Sequence, residues 1–170
     1  MSELQELVQQ SMSNLRRMIR GLRPIYLEDL GLVASLEMLT REMEQSANIP
    51  ISFISDGPEY RLDPQCEMSL YRMVQESLNN IIQHANAAHA WVEFIFTDTD
   101  LAIQIRDDGK GFIVPNDPAE FPKKGHFGLL GLQERSELIN AKLSIISSPG
   151  KGTAISIRLS KSASRDHKLN

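Results

Sequence analysis

The amino-acid sequence predicts an α+β fold, a two-layer α/β sandwich whose mixed, mostly antiparallel sheet is covered on one face by helices. Five short segments alternate apolar and polar residues with the period of strands, and three longer segments have the period of amphipathic helices. These segments interleave without the regular strand–helix alternation of a parallel sheet, which argues against a doubly wound fold. A further long helix precedes this unit at the N-terminus.

The N-terminal helix carries an apolar seam of the kind found in helix bundles. Its seam positions recur at alternating gaps of four and three residues: Leu4, Val8, Ser11, Leu15, Met18 and Leu22. This spacing is typical of the a and d positions of a coiled coil or bundle, and a helix packed on its own domain is the alternative. Gly21 and Pro24 end the helix. We therefore assign residues 1–24 to a partial dimerisation helix, residues 25–160 to the folded domain and residues 161–170 to a polar tail.

The elements of the folded domain follow a linker at residues 24–31, in which Asp29 is placed to cap the next helix. Helices are predicted at residues 31–47, 63–87 and 129–139. Strands are predicted at residues 51–54, 91–96, 101–106, 142–147 and 153–159. The stretch at residues 109–128 is a long glycine-rich loop, and loops of that length in a compact domain are usually functional.

Composition excludes several classes of protein. Hydrophobic residues make up 41% of the chain, which is too high for a disordered protein, and the net charge of -4 does not suggest a nucleic-acid partner. No apolar run approaches the roughly 20 residues that span a bilayer. The residues after Met1 do not form a signal peptide either, so we expect a cytoplasmic protein.

A polar row on the predicted helix at residues 63–87 is the first candidate site. Glu76, Asn80 and His84 are spaced four apart, so they stack along one side of the helix. Such a row could hold a hydrated magnesium ion, which favours oxygen ligands. A solvated helix face is the alternative interpretation.

Two glycine-containing motifs supply further candidates. Asp107 follows a strand and precedes Gly109 and Gly111. A carboxylate at a strand end can accept a hydrogen bond from the exocyclic amine of a base, although Asp-Gly is also a common hairpin turn. Residues 125–132 contain three glycines at the start of a helix, where unpaired N–H groups can bind phosphate.

The order of these motifs along the chain, from the polar helix through the aspartate–glycine motif to the glycine-rich helix start, resembles that of the GHKL ATPase superfamily. This superfamily includes gyrase, MutL and histidine kinases. The match is closest to sensor histidine kinases of the nitrate-sensor and desaturase-sensor subgroup. It rests on a linker at residues 22–32, an N box at 75–85, the glycine box at 128–135 and the Pro-Gly-Lys-Gly-Thr motif at 149–153. The resemblance implies a Bergerat-type ATP-binding fold that uses ATP and Mg²⁺.

The resemblance also implies a role for each matching residue. Asn80 would ligate magnesium, and Glu76 would order its water shell or act as a base. Asp107 would take the adenine amino group, with the Thr153 hydroxyl in support, and His84 would line the nucleotide site. Glycines and backbone N–H groups would complete the ATP site: Gly109 and Gly111 at the adenine, and Gly128, Leu129 and Gly131 at the phosphates. Residues 113–127 would form a mobile lid.

The sequence departs from the family in two places. Gln83 stands where the family usually has a basic residue. No histidine precedes His84, whereas the family carries its phosphoacceptor histidine on an earlier helix. We therefore expect a C-terminal piece of a larger receptor that cannot phosphorylate itself in cis.

The predicted function is transfer of the ATP γ-phosphoryl group to a histidine supplied elsewhere. Its expected partners are the phosphoacceptor helix of the same receptor, a response regulator and a second copy through the N-terminal helix. An ATP-hydrolysing clamp of the gyrase type is one alternative. A non-catalytic dimerisation or docking module is the other.

Overall fold

The computed structural model describes residues 26–115, 117, 121 and 127–162. Five strands form one sheet: β1 (Ile51–Asp56), β2 (Ala90–Phe96), β3 (Asp100–Asp107), β4 (Lys142–Ser147) and β5 (Thr153–Ser160). Their spatial order is β1-β2-β3-β5-β4. β1 pairs with β2 in parallel, and every other pairing is antiparallel. The predicted mixed, mostly antiparallel sheet is confirmed.

Helices cover the inner face of this sheet. They are α1 (Tyr26–Leu30), α2 (Leu32–Ala47), α3 (Pro64–Asn80) and α4 (Phe127–Leu138). Alternate strand residues such as Val92, Phe94 and Ile103 are almost completely buried beneath them. The residues between these, including Ile95, remain partly exposed on the opposite face. The period-two alternation in the sequence therefore encodes a sheet with one covered face.

The linker before α2 differs from the prediction. It contains the short helix α1, and Asp29 lies inside that helix instead of capping the next one. Gly31 takes the N-cap position of α2 with φ 83°, and no side chain caps the helix there. A positive φ of this size is open to glycine at little cost, so the chain turns sharply between two helices.

Arg61 connects this linker to α3 through hydrogen bonds. Its guanidinium donates to Glu67 from Nε at 2.8 Å and from Nη2 at 3.1 Å. The same Nη2 donates to the Glu28 carbonyl at 3.2 Å. The Glu67 side chain is only 3% exposed, and it also accepts the Leu62 N–H. The carboxylate is thus satisfied on both oxygens although it is buried.

The second long helix is shorter than predicted. It begins where predicted: the Asp63 side chain accepts the Gln65 N–H at 2.9 Å as the helix cap, and Pro64 occupies the first turn. The α-helix ends at Asn80, however, and a π-helical turn at Ile81–Ala85 follows. Asn86, with φ 51°, ends the turn. Widened turns of this kind are frequent at functional sites, and the apolar period alone does not reveal them.

Several predictions lie outside the described residues. They are the dimerisation helix at residues 1–24, most of the polar tail and most of the lid, including His126. Among the helices that the structure does describe, none has the length and apolar character needed to cross a membrane.

Candidate nucleotide site

A cavity of about 520 Å³ opens where α3, the π-helical turn, the ends of β3 and β5 and the start of α4 meet. This volume falls within the range of about 300–1,000 Å³ typical of small-molecule sites. Its described lining residues come from all of these elements: Glu76, Ser77, Asn80, Ile81, Gln83, His84, Ala85, Ile105, Asp107, Lys110, Gly111, Phe112, Gly128, Leu129, Thr153 and Ile155. Four stretches that are separate in sequence therefore converge on one space.

The polar row of α3 faces this cavity. The helix buries Leu70, Val74 and Leu78 completely. Packing of this apolar face turns Glu76 and Asn80 towards the opening, where both are half-buried. His84 lies in the π-helical turn, is exposed, and also lines the cavity.

Asp107 is the buried acid of the site. It is the last residue of β3 and is 7% exposed. Burial raises the pKa of its carboxyl above the usual range, although hydrogen bonds from the Gly109 N–H and from Thr153 act in the opposite direction. The Gly109 N–H donates to Oδ1 at 2.8 Å. A buried carboxylate with spare acceptor capacity suits a donor such as an exocyclic amine.

Asp108 has a different role. Its side chain accepts the backbone N–H groups of Ala88 and His89 at 2.8 and 2.9 Å. Those hydrogen bonds, the one from His89 first, lower the pKa of its carboxyl. Asp108 therefore ties the start of β2 to the end of β3 while Asp107 faces the cavity.

The glycines after Asp107 allow close contacts within the protein itself. A Cβ at Gly109 would collide with the Ala85 carbonyl oxygen, and one at Gly111 would collide with the Ser148 carbonyl oxygen. Gly111 also has φ 57°. Gly111 lines the cavity, whereas Gly109 is not among its described lining residues. Their contribution to an adenine pocket stays a prediction.

The glycine box begins α4. Gly128 and Leu129 line the cavity, and the side chain of Leu129 is buried in the core. Gly131 is not among the described lining residues, and its carbonyl accepts Arg135 Nη1 at 2.8 Å. The phosphate contacts expected of these three residues stay a prediction.

Metal binding by the protein alone has no support in the described part of the chain. There, no group of three or more His, Cys, Asp and Glu side chains is placed to hold an ion. Glu76 and Asn80 supply two oxygen-bearing side chains on one cavity wall. Such a pair fits Mg²⁺, because this ion is usually held by one or two protein ligands together with substrate phosphates and water.

Comparison with known proteins identifies the family. A family model described as histidine kinase-, DNA gyrase B- and HSP90-like ATPase matches residues 65–163. The chain belongs to this family. The expected GHKL resemblance is therefore confirmed, together with the ATP-binding fold.

Relatives of the chain carry the names of histidine kinases. It is 36% identical over 157 residues to the signal transduction histidine-protein kinase/phosphatase DegS of Brevibacillus brevis, covering 92% of this chain and 39% of that protein. It is 37% identical over 160 residues to an uncharacterised sensor-like histidine kinase of Chloroflexus aurantiacus, covering 92% of this chain and 27% of that protein. The chain thus spans well under half the length of these relatives. They place it with the ATP-binding catalytic domains of sensor histidine kinases.

A solved structure supports the fold. The blue-light activated histidine kinase EL346 of Erythrobacter litoralis superposes with a TM-score of 0.67 at 22% identity, covering 94% of this chain and 52% of that one.

Several cavity residues of this ATPase-family domain were missed in the sequence. Lys110 stands between the two glycines, and Phe112 follows them. Ile105 and Ile155 face each other on β3 and β5, two residues along the strands from the Asp107–Thr153 pair, and supply an apolar wall. Alternation identified both isoleucines as strand residues, but not as cavity walls. A strand residue lines the cavity only where the helices no longer cover the sheet, and alternation does not show where that is.

Proposed function

We propose that this chain is the ATP-binding catalytic part of a sensor histidine kinase of the nitrate-sensor and desaturase-sensor subgroup. It would bind ATP with Mg²⁺ and deliver the γ-phosphoryl group to a histidine supplied by another segment or chain. The convergence of Glu76, Asn80, Asp107 and Gly128 on one cavity carries this proposal.

The adenine end of the site is at Asp107. The base would lie against Ile105 and Ile155, which face each other on the paired strands β3 and β5 and line the cavity wall. Its exocyclic amino group would donate to the Asp107 carboxylate. A site built to pair with a substrate N–H discriminates strongly against analogues that lack it, because its buried acceptor is then left unpaired.

The phosphate end lies between α3 and α4. Gly128 packs against the side chains of Glu76 and Asn80, so the first turn of α4 borders the polar row. Backbone N–H groups at a helix start favour phosphate. In this arrangement Asn80 would hold Mg²⁺ directly and Glu76 would hold it through water. The ion, when bound, neutralises phosphate charge.

The transfer step needs little covalent chemistry from the protein. The lone pair of a neutral imidazole nitrogen attacks the γ-phosphorus, the bond from that phosphorus to the β–γ bridging oxygen breaks, and ADP leaves with the electron pair. The imidazole gives up the proton of its other nitrogen, for which Glu76 is the candidate acceptor in the cavity wall. Catalysis of this kind depends on positioning and charge stabilisation.

The same proposal assigns partners and location. The acceptor histidine would come from a helical bundle of the longer receptor, and the phosphoryl group would pass on to a response regulator. The seam at residues 1–24 would pair two copies. The compartment would be the cytoplasm, where ATP and Mg²⁺ are abundant.

The test is calorimetric titration of ATP with and without Mg²⁺ into the wild type, Asp107→Asn and Asp108→Asn. We expect magnesium-dependent binding to the wild type and to Asp108→Asn, and a loss of at least about tenfold in Asp107→Asn. Equal affinity of Asp107→Asn and the wild type would show that the adenine assignment is wrong. Steady-state hydrolysis by the chain alone, abolished in Glu76→Ala, would favour the clamp ATPase instead.

Transfer itself is tested with γ-labelled ATP and a separately purified acceptor bundle of the receptor. Acid-labile label on the bundle, dependent on Asn80, is the expected result. Binding of ATP without any transfer to the bundle would leave a nucleotide-binding module and remove the kinase proposal.

A further inference from the structure

Ser147 joins three parts of the site by hydrogen bonds. It ends β4, and its hydroxyl lies 3.0 Å from Thr153 Oγ1. The same hydroxyl donates to the Gly152 carbonyl at 2.9 Å and accepts the Phe112 N–H at 2.9 Å. Register places Ser147 opposite Thr153, and Thr153 opposite Asp107. A row of side chains therefore runs across β4, β5 and β3 into the cavity.

Donors in this row are too few for its contacts. Three contacts need a hydroxyl hydrogen: Ser147 to Gly152, Ser147 to Thr153, and Thr153 to Asp107. Two hydroxyls carry two hydrogens. When Asp107 is ionised, the Thr153 hydrogen goes to the carboxylate, and the Ser147 hydrogen must serve both Thr153 and Gly152. When Asp107 is protonated, its own hydrogen can supply the third contact. Asp107 then donates to Thr153, Thr153 donates to Ser147, and Ser147 donates to Gly152.

The direction in which the hydroxyl groups of this row donate therefore depends on the protonation state of Asp107. A ligand that donates an N–H to Asp107 favours the ionised carboxylate, and with it the orientation in which Thr153 donates towards the cavity. Ser147 supports that orientation because it can donate to Thr153 Oγ1. It also holds Phe112, a cavity residue that directly follows the Asp107–Gly111 motif.

We propose that Ser147 is a positioning residue for recognition of the 6-amino group of adenine. Through Thr153 it holds the Asp107 carboxylate in its accepting orientation, and through the Phe112 N–H it ties the following segment to the same row. This inference rests on the proposed ATP-binding function. Ser147 does not itself line the described cavity, so its effect is indirect.

The experiment compares ATP with purine riboside triphosphate, which lacks the 6-amino group, each titrated with Mg²⁺. In Ser147→Ala, ATP affinity should fall by about tenfold while affinity for the analogue changes by less than about twofold. Ser147→Thr keeps the hydroxyl and should restore the preference for ATP. Ser144→Ala is the matched control, because Ser144 is exposed on the same strand and points to the other face.

Two results would overturn the inference: unchanged ATP affinity in Ser147→Ala, or an equal loss for both nucleotides, which marks a general packing effect. If Ser147→Ala does not fold, Ser147→Cys is read by the same criteria, since a thiol keeps the shape but donates weakly. Failure of the wild type to bind ATP would instead remove the proposed function. Normal binding by Ser147→Ala beside weak binding by Asp107→Asn would remove this inference alone.

Discussion

Gly128 at the start of α4 lies directly against Glu76 on α3. A Cβ added to Gly128 would come within 2.5 Å of Glu76 Oε1 and 2.9 Å of Asn80 Nδ2. The glycine therefore does more than open a helix, because its missing side chain leaves the space that the polar row occupies. The N box and the glycine box are joined by this contact.

Gly128→Ala should consequently disturb the site without unfolding the domain. The groups that must move are the ends of two side chains, so we expect the melting temperature to stay within a few degrees of the wild type. Displacement of Glu76 and Asn80 should weaken magnesium-dependent ATP binding by about tenfold. Titration and thermal unfolding of one sample measure both. Normal affinity would show that the contact has no functional role.

Asn80→Ala should remove the magnesium dependence of binding. If Asn80 is a metal ligand, ATP affinity in Mg²⁺ should fall by about tenfold or more, while affinity in EDTA should match that of the wild type. Titrations in the two buffers separate these contributions. An equal loss in both buffers would place Asn80 against the nucleotide and not against the ion.

Asp107 and Asp108 should have opposite effects on the pH dependence of stability. Burial raises the pKa of Asp107 in the folded domain. The folded state then binds its proton more tightly, so this residue makes the free domain less stable as pH rises from the ordinary aspartate pKa through the raised one. The lowered pKa of Asp108 acts in reverse, and its stabilising contribution is lost as pH falls through that lowered pKa.

Thermal unfolding of Asp107→Asn and Asp108→Asn from strongly acidic to neutral pH checks these signs, because the window of Asp108 lies below the ordinary aspartate pKa and that of Asp107 lies above it. Relative to the wild type, the Asp107→Asn variant should become more stable as pH rises, and the Asp108→Asn variant should become less stable. ATP affinity of the wild type should also weaken as pH falls through the raised pKa of Asp107. Parallel stability profiles for the two variants would contradict the assignment of the buried acid.

Arg61→Ala should destabilise the domain far more than Arg41→Ala. Removing Arg61 leaves the buried Glu67 carboxylate without its bidentate partner, at a cost of about 1–3 kcal/mol in the free energy of unfolding. Arg41 pairs with Glu37 on the exposed surface of α2, where ion pairs contribute at most about 1 kcal/mol. Urea titration measures both variants. Equal costs would mean that the Arg61 contact does not hold α1 to α3.

Local pattern was sufficient for most of the fold. Periodicity in the sequence predicts which face of an element is buried. This holds for the alternation in β2, β3 and β5 and for the apolar stripe of α3. The start of α3 was predicted correctly, because a proline directly after Asp63 suits the first turn of a helix. The strand order, with β5 between β3 and β4, could not be obtained in this way, since pairing depends on contacts far apart in sequence.

Tertiary contacts explain what sequence reasoning missed. Asp29 resembles a helix cap, but Gly31 turns the chain after a short helix that Arg61 stabilises from another part of the chain. The π-helical turn after Asn80 is invisible in an apolar stripe. Ser147 looked like an ordinary strand residue because its partners come from two other segments.

A crystal structure of the chain with Mg²⁺ and a non-hydrolysable ATP analogue tests the central claim most directly. We predict the 6-amino nitrogen about 3 Å from an Asp107 carboxylate oxygen, the triphosphate beside the first turn of α4, and the metal next to Asn80. A nucleotide bound elsewhere, or an adenine ring turned away from Asp107 in this cavity, would contradict the account.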